Sequence, residues 1–301
     1  MKSAPNFFIV GAPKSGTTAL YEYLRGHPNI YMPAQKEPSY FARDFPNYPS
    51  YRDYNDYIAL FKSCTVKHIA IGEASVLYLY SNVALSLIYE FNSKAKIIAM
   101  LRNPVDLAYS MHQQALYNFN EDVPDFEQAW KLQAARAQGL PIPKGCRAAQ
   151  LLQYKSLASL GEQVQRLLNI FPPEQVKLIF FDDFISNTKQ VYKEVLVFLQ
   201  VPLDSRSVFP LLNEAKTHKY QWLGKWTQTP PEVILWLVRF ARRFLGINIA
   251  QPLALLRRLN EQPMKRPPLK KKFVKHLQDE FREDIKLLEV LTERDLSHWL
   301  E

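Results

Sequence analysis

Residues 7–27, with the sequence FFIVGAPKSGTTALYEYLRGH, constrain the fold of this chain more than any other segment. The first four residues are apolar and predict a short buried strand. A turn bounded by Gly11 and Gly16 follows, and from Thr17 the apolar residues recur at helical spacing. A strand, a glycine-bounded loop and a helix in this order predict an anion-binding cradle, because backbone N–H groups and the positive end of the helix dipole face the loop.

Side chains of the same segment add to this cradle. Lys14 supplies a positive charge, and the hydroxyls of Thr17 and Thr18 supply hydrogen-bond donors. The nucleoside-triphosphate P-loop, G-x-x-x-x-G-K-[ST], has the same glycine spacing, but here Thr17 stands where its lysine would be. The segment therefore predicts a phosphate site of another kind, with a Gly/Pro turn that binds no ligand as the alternative.

A second signal is LRNPVDLAYS, residues 101–110. Residues 96–101 predict a central strand, Asn103 a helix N-cap and Pro104 the first residue of a helix that runs to about residue 117. Arg102 would then leave the strand at the open end of the sheet, with Ser110 about two helical turns further on. A guanidinium group pairs with phosphate through two parallel hydrogen bonds, so the motif predicts a second phosphate contact. An ordinary capped helix with a surface arginine is the alternative.

These two segments resemble the sulfotransferases that use 3′-phosphoadenosine-5′-phosphosulfate (PAPS). In that family P-K-[ST]-G-T-T binds the 5′-phosphosulfate end of the donor, and the Arg and Ser of the second motif hold its 3′-phosphate. The resemblance implies these donor-binding residues: Lys14, Ser15, Gly16, Thr17, Thr18, Arg102 and Ser110.

Two further donor contacts follow from the same resemblance. The segment QYKSLASLGEQ is similar to the G-x-Y helix of the family and implies that Tyr154 approaches the nucleotide, although Leu152 replaces the family's glycine. The R-K-G loop of the cytosolic members is absent from the sequence. Lys219, in NEAKTHKYQWLGK, lies at roughly that place and is either a phosphate contact or a solvated side chain.

Sulfuryl transfer needs a base for the acceptor's proton and a cation on the bridging oxygen of the leaving phosphate. Lys14 has the loop position of that cation. AQKEPSYF resembles the K-E-P-x-x-F stretch of the glycosaminoglycan-type sulfotransferases, which implies that Glu37 is the base. The residues alone leave Glu37 evenly balanced between this role and that of a surface glutamate beside Lys36. Glu73, predicted at a strand end, and His112 are the other candidates for the base.

Short apolar strands alternate with helical patterns along the chain. Strands are predicted at residues 7–10, 29–32, 67–73, 96–101 and 176–181, and helices at residues 81–92, 151–170 and 188–199. This alternation predicts an α/β, three-layer P-loop-like fold, with a central parallel sheet and helices on both faces. We expect one domain over residues 1–301, mostly helical from residue 221. Ligands of such sheets bind beyond the carboxyl ends of the strands, where Gly11, Glu73, Arg102 and Asp182 are predicted.

Charge and cysteine content narrow the setting of the chain. The net charge is +9, and residues 216–275 hold 14 Lys and Arg against two Glu, which suits anionic ligands, nucleic acid or an anionic membrane face. We interpret most of these basic residues as solvated surface and expect no nucleic-acid partner. Residues 232–247 are interpreted first as a core helix, second as a helix that covers a hydrophobic acceptor site, and third as an interfacial membrane helix. Two distant cysteines, no apolar run of about 18 residues and no room for a signal peptide predict a cytoplasmic protein.

The sequence thus predicts a PAPS-dependent sulfotransferase that needs no metal and releases adenosine 3′,5′-bisphosphate. The expected acceptor is a small metabolite or natural product with a hydroxyl or amine. One alternative is an Mg²⁺-dependent kinase or NTPase, for which Asp182 and Asp183 would be metal ligands after the strand at 176–181. The other is a basic protein without catalysis that binds phosphate or membranes.

Overall fold

The computed structural model describes residues 4–48, 50–146, 148–210, 216–228, 256, 259–264 and 266–301. The chain divides into two compact units. The first comprises Met1–Met111, Gln153–Asn213 and Lys270–Glu301, and the second comprises His112–Leu152 and Glu214–Leu269. The expectation of one domain over residues 1–301 stays a prediction, and each unit is described by itself.

A five-stranded parallel sheet forms the centre of the first unit. In spatial order its strands are β2, β3, β1, β4 and β5. Their bounds are β1 Phe7–Gly11, β2 Ile30–Tyr31, β3 Ala70–Ala74, β4 Lys96–Leu101 and β5 Val176–Phe180. The predicted α/β class with a parallel sheet is confirmed, and the continuous apolar runs of β1 and β4 reflect strands that are buried on both faces.

Helices surround this sheet. The first unit contains α1 Thr17–Arg25, α2 Tyr54–Ala59, α3 Ala84–Phe91, the start of α4 Pro104–Tyr117, and, later in the chain, α7 Tyr154–Ala158, α8 Leu160–Ile170, α9 Phe181–Ser186, α10 Thr188–Leu199 and α12 Lys271–Thr292. On one face, buried side chains of α1 and α10 form a single cluster with Phe7 and Ile9 of β1. Because strand residues alternate between faces, Phe8 and Val10 point to the opposite face.

Two predicted elements differ from the structure. The helix expected over residues 151–170 is divided into a 3₁₀ turn, Ala149–Leu152, and the separate helices α7 and α8. Ser159, with ψ near 81°, breaks the helical path, and the carboxylate of Asp284 on α12 accepts the N–H groups of Gly161 and Glu162 at 2.9 Å each. The strand expected over residues 67–73 starts later and ends later, so Glu73 lies inside β3 and not at its end.

The second unit contains α5 Phe126–Lys131, α6 Gln133–Ala137, α11 Gln221–Gln228 and an antiparallel pair of short strands, β6 Lys216–His218 and β7 Glu261–Pro263. Among its described residues, a buried ion pair joins both terminal nitrogens of Arg136 to the carboxylate of Glu121 at 2.6 and 2.8 Å. Residues 232–247 lie outside the described residues, so their predicted helix is left as a prediction. Among the helices that are described, none has the length and apolar character needed to cross a membrane.

Candidate active site

The loop between β1 and α1 is held against the sheet by its own backbone. The N–H of Ala12 donates to the carbonyl of Met100 on β4 at 2.7 Å. Gly11 has φ +148°, and a Cβ there would lie 2.8 Å from the carbonyl oxygen of Val76, so only glycine fits. Helix α1 starts at Thr17 with no side-chain cap among the described residues and no acidic residue in its first turn. Its first N–H groups and dipole therefore suit an anion.

Arg102 follows β4 and lies against this loop. Its Nη1 donates to the carbonyl of Lys14 at 2.9 Å, its Nη2 contacts Asp106 Oδ2 at 3.2 Å, and its guanidinium lies 4.7 Å from the ring centre of Phe181. The side chain is only 16% exposed. Three elements thus orient one positive charge beside the loop, as a phosphate contact requires.

The other predicted donor contacts have different surroundings. Ser110 is buried on α4, four residues after Asp106 and so on the same helix face one turn further along. Ser15 and Thr17 are buried in the loop and at the start of α1, and Thr18 is partly exposed. Tyr154 begins α7 and has no exposed surface. Lys219 belongs to the second unit, where it is exposed and its N–H donates to the carbonyl of Asn260 at 2.7 Å.

Glu37 is fixed at the end of β3. Its N–H donates to the carbonyl of Ala74 at 3.0 Å, its Oε2 accepts the N–H of Val76 at 2.9 Å, and its Oε1 pairs with the ammonium of Lys36. The side chain remains 27% exposed. The turn after β3 therefore contacts both parts of the site, since Val76 binds Glu37 through its N–H and packs on Gly11 through its carbonyl.

Glu73 is the second carboxyl group of this region, and its environment is different. It is 0% exposed, and burial raises its pKa to about 8. The nearby charge of Glu37 contributes to this raised pKa, while the hydroxyls of Tyr78 and Tyr57 oppose it. The prediction that Glu73 ends its strand is wrong, because β3 continues to Ala74 and the side chain of Glu73 lies in the core; its candidacy as the base stays a prediction.

His112, the remaining candidate for the base, belongs to the second unit. Its ring is fully buried, and Nε2 lies 2.9 Å from the carbonyl oxygen of Val123. Burial lowers the pKa of this imidazole. These contacts give His112 a packing role, and no surface of the ring is open to a substrate.

Asp182 and Asp183 lie in the first turn of α9 and are engaged by the C-terminal segment. The guanidinium of Arg294 binds both carboxylate oxygens of Asp183 and lowers its pKa. Trp299 Nε1 donates to Asp182 at 3.2 Å. Among the described residues, no group of three or more His, Cys, Asp or Glu side chains is arranged to hold a metal ion. The two acids thus have structural partners of their own.

Sequence reasoning missed two contributors to the site. Phe181, counted only as the last residue of an apolar strand, begins α9 and carries the guanidinium of Arg102 on its ring. The N–H of Val76, which holds Glu37, has no side-chain signature at all. For Phe181 the sequence did hold a signal, namely an aromatic residue at the end of a strand predicted beside the arginine-bearing strand.

Residues 4–225 match the family model described as "Sulfotransferase domain", which covers well over half of the chain and includes the loop, Glu37 and Arg102. The chain belongs to the sulfotransferase family. The loop, the buried parallel sheet and the arginine after β4 are therefore features of a sulfotransferase domain.

Curated relatives and a solved structure agree with this family. The chain is 26% identical over 268 residues to carbohydrate sulfotransferase 15 of Rattus norvegicus, covering 68% of this chain and 46% of the relative. It is 31% identical over 241 residues to the bifunctional heparan sulfate N-deacetylase/N-sulfotransferase 3 of Homo sapiens, covering 73% and 26%. The chain thus spans about half or less of these relatives. A sulfotransferase structure from Alicyclobacillus acidocaldarius superposes with a TM-score of 0.71 and 27% identity, covering 99% of this chain and 100% of that one.

Proposed function

We propose that this chain transfers a sulfuryl group from PAPS to a hydroxyl or amine acceptor. The observation that carries the proposal is the position of the turn after β3. Its residue Val76 holds the carboxylate of Glu37 and touches Gly11, where the loop of residues 11–16, here named the phosphate loop, begins. A base and an anion cradle on one sheet edge match what sulfuryl transfer requires. Family membership supports the reaction type.

In the proposed reaction, Glu37, Lys14 and Arg102 each have a separate role. PAPS supplies an activated sulfuryl group on a phosphate leaving group. The acceptor oxygen or nitrogen forms a bond to sulfur as the bond from sulfur to the bridging oxygen breaks, and the acceptor's proton passes to Glu37. Lys14 stabilises the negative charge that develops on the departing adenosine 3′,5′-bisphosphate, and Arg102 pairs with its 3′-phosphate.

Ligand binding separates this proposal from the two alternatives. Adenosine 3′,5′-bisphosphate should raise the melting temperature in the presence of a chelator, because the cradle is built from N–H groups, Lys14 and Arg102. Stabilisation by ATP only when Mg²⁺ is present would indicate a kinase or NTPase. Binding to anionic vesicles without any effect of nucleotide would indicate a membrane-binding protein without catalysis.

For the acceptor we propose a small molecule that carries a hydroxyl or an amine. The relatives' names concern carbohydrate and heparan sulfate sulfotransferases, so the test includes both kinds of compound. The purified chain is incubated with PAPS and a panel of oligosaccharides, alcohols, phenols and amines, and mass spectrometry detects an added sulfate. Turnover confined to oligosaccharides would contradict the small-molecule part alone, and no turnover with any acceptor would contradict the reaction.

The cytoplasmic location is proposed from cysteine usage only.

A further inference from the structure

Glu73 is a buried carboxyl group that the proposed reaction does not use. It lies in β3, paired in register with Phe8 of the central strand β1, and has no exposed surface. Among the described residues, neither of its carboxyl oxygens receives a hydrogen bond of normal geometry. An ionised carboxylate in this position would be buried with only the hydroxyls of Tyr78 and Tyr57 near enough to support its charge, and burying a carboxylate without a cation or well-formed hydrogen bonds is costly.

Three titratable groups interact electrostatically with this carboxyl group: the phenols of Tyr57 and Tyr78 and the carboxylate of Glu37. Burial raises the pKa of both phenols well above the usual value, so both remain O–H groups. Tyr78 accepts the N–H of Phe41 at 3.3 Å, and Tyr57 is stacked on Tyr40 at 4.3 Å. Glu73 therefore lies behind the segment of residues 37–41, which carries the proposed base.

Glu37 and Glu73 differ in what supports a negative charge. Glu37 has the ammonium of Lys36 on one oxygen and the N–H of Val76 on the other, and it is partly exposed to water. In the part of the chain that the structure describes, no cation is paired with Glu73, and the side chain has no water-exposed surface. A buried carboxyl group beside a better supported carboxylate resists ionisation, because a second negative charge there would be both desolvated and repelled, so Glu73 stays neutral.

We propose that Glu73 is a positioning residue for Glu37, which it serves by remaining a neutral carboxylic acid. Its neutrality leaves Glu37 as the one ionised carboxylate of the site and keeps that carboxylate on the N–H of Val76. The inference rests on the proposed function, because it assigns Glu37 the role of base. A negative charge on Glu73 would repel the carboxylate of Glu37 and disturb its orientation.

A pH profile tests the positioning role. The pKa of Glu73 lies at about 8, so the kcat of the wild-type enzyme should fall about tenfold per pH unit above that value. Glu73→Gln keeps the size and the neutral state but cannot ionise. We expect it to lose less than about tenfold in kcat near neutral pH and to lack the alkaline decline. Glu90→Gln, an exposed position on α3, is the matched control and should keep the wild-type profile.

Two results would overturn the inference at this stage. One is an alkaline decline that persists in Glu73→Gln or is absent from the wild-type enzyme. The other is a folded Glu73→Gln variant that binds nucleotide but has lost more than about a hundredfold in kcat near neutral pH, since Glu73 would then be an acid or base in its own right.

Stability provides a readout that needs no enzymatic activity. Because the pKa of Glu73 is raised from 4.5 to about 8 on folding, the unfolded chain releases a proton that the folded chain retains. The unfolding equilibrium constant of the wild-type protein should rise by up to tenfold per pH unit between these values, relative to Glu73→Gln, and level off above about pH 8. Urea titrations measure this difference.

The two readouts separate failure of this inference from failure of the proposed function. If the pH-dependent difference in stability is absent, Glu73 is not a neutral buried acid and the inference is wrong, whatever the reaction. If the difference is present but neither protein sulfates any acceptor, the proposed function is wrong and the positioning role falls with it. Should Glu73→Gln fail to fold, infrared spectroscopy of the wild-type protein replaces the comparison. We expect the C=O band of a buried protonated carboxyl group to disappear between about pH 7 and about pH 9, and the absence of this band would contradict the inference.

Discussion

At the scale of single residues, Arg102 shows how a charged side chain can be oriented before a ligand binds. The carbonyl of Lys14, the carboxylate of Asp106 and the ring of Phe181 together limit the guanidinium to one region beside the phosphate loop. Ordering a free arginine side chain costs up to about 2 kcal/mol in conformational entropy, and here part of that cost is met during folding. The 3′-phosphate of the donor would then meet a preorganised partner.

Replacing Arg102 by alanine should weaken the binding of adenosine 3′,5′-bisphosphate by about 1.5–3 kcal/mol, the range for a hydrogen bond to a charged group. Calorimetric titration measures this change. The loss should be much smaller for adenosine 5′-phosphosulfate, which lacks the 3′-phosphate. Arg102→Lys is the matched control, because it keeps the charge but not the planar fork, and it should recover only part of the affinity. Equal losses for both nucleotides would remove Arg102 from the 3′-phosphate site.

Lys14→Met removes the loop's positive charge while keeping an unbranched side chain of similar length. We expect kcat to fall about 10²–10³-fold, because the charge matters most as the leaving phosphate becomes negative. The affinity for adenosine 3′,5′-bisphosphate should fall less than kcat. Single-turnover rates and product-binding constants, measured on the same preparation, decide the matter. A proportional loss in both quantities would assign Lys14 to binding only.

Glu37→Gln keeps the shape of the side chain and can still accept the N–H of Val76, but it cannot take a proton from the acceptor. Loss of a general base costs about 10²–10⁴-fold, so turnover should collapse while donor binding persists. Glu90→Gln on the exposed face of α3 is the control and should behave as wild type. Near-normal turnover in Glu37→Gln, with a silent His112→Ala that still binds nucleotide, would transfer the role of base to His112.

At the scale of secondary structure elements, the start of α8 shows how one helix is terminated and another begun by a distant side chain. The side chain of the N-cap residue Ser159 makes no capping hydrogen bond to the N–H groups of this helix. Asp284 of α12 supplies the acceptor instead, binding the N–H groups of Gly161 and Glu162, and burial raises the pKa of this carboxyl group. Sequence periodicity carries no trace of this contact, which joins residues more than 120 positions apart.

Asp284→Ala should lower the free energy of unfolding by about 1–2 kcal/mol, because two helix N–H groups lose their acceptor in a partly buried place. Glu283→Ala, one residue earlier on the same helix, is the matched control. Its side chain is 83% exposed, so its change should stay within about 0.5 kcal/mol. Urea unfolding followed by circular dichroism measures both variants. Equal effects at the two positions would show that the capping contact adds nothing.

At the scale of the whole molecule, an apolar sheet lies at the centre of the first compact unit, and a buried ion pair lies in the second. The first unit has an apolar sheet whose central strands β1 and β4 are buried except at Lys96, where β4 begins. The second unit contains an ion pair whose side chains, Arg136 and Glu121, are 2% and 0% exposed. The carboxylate of Glu121 also accepts the N–H groups of Asp122 and Val123, so this pair organises the turn before α5.

Arg136→Ala should destabilise the protein by about 3–5 kcal/mol, because it leaves the buried charge of Glu121 without its cation. Lys131→Ala, which breaks a largely exposed pair with Glu127 in the same unit, should cost at most about 1 kcal/mol. The double variant Arg136→Met with Glu121→Leu should be more stable than Arg136→Ala, since no unpaired charge remains. Denaturant titrations compare the three, and equal midpoints for Arg136→Ala and Lys131→Ala would contradict the argument.

Local sequence determined a large part of this protein. Glycine spacing and the switch from a continuous apolar run to a 3.6-residue period located β1, the phosphate loop and α1, because strand and helix patterns are properties of neighbouring residues. The bounds of β4 at residues 96–101 and of α10 at residues 188–199 match the prediction for the same reason. The cap at Asn103 is confirmed as well, since its Oδ1 accepts the N–H of Val105 at 3.0 Å.

Tertiary structure decided which side chains are buried and which distant residues they contact. The sequence left both Glu37 and Glu73 as candidates for the base, with the resemblance favouring Glu37, and it could not show that Glu73 lies inside the core while Glu37 lies on a partly exposed turn. The division of the helix at Ser159 and the ring of Phe181 beneath Arg102 likewise depend on partners far away in the chain. Burial, and with it the charge state of an acid, is set by the sum of such distant contacts, and residue spacing along one segment carries no information about that sum.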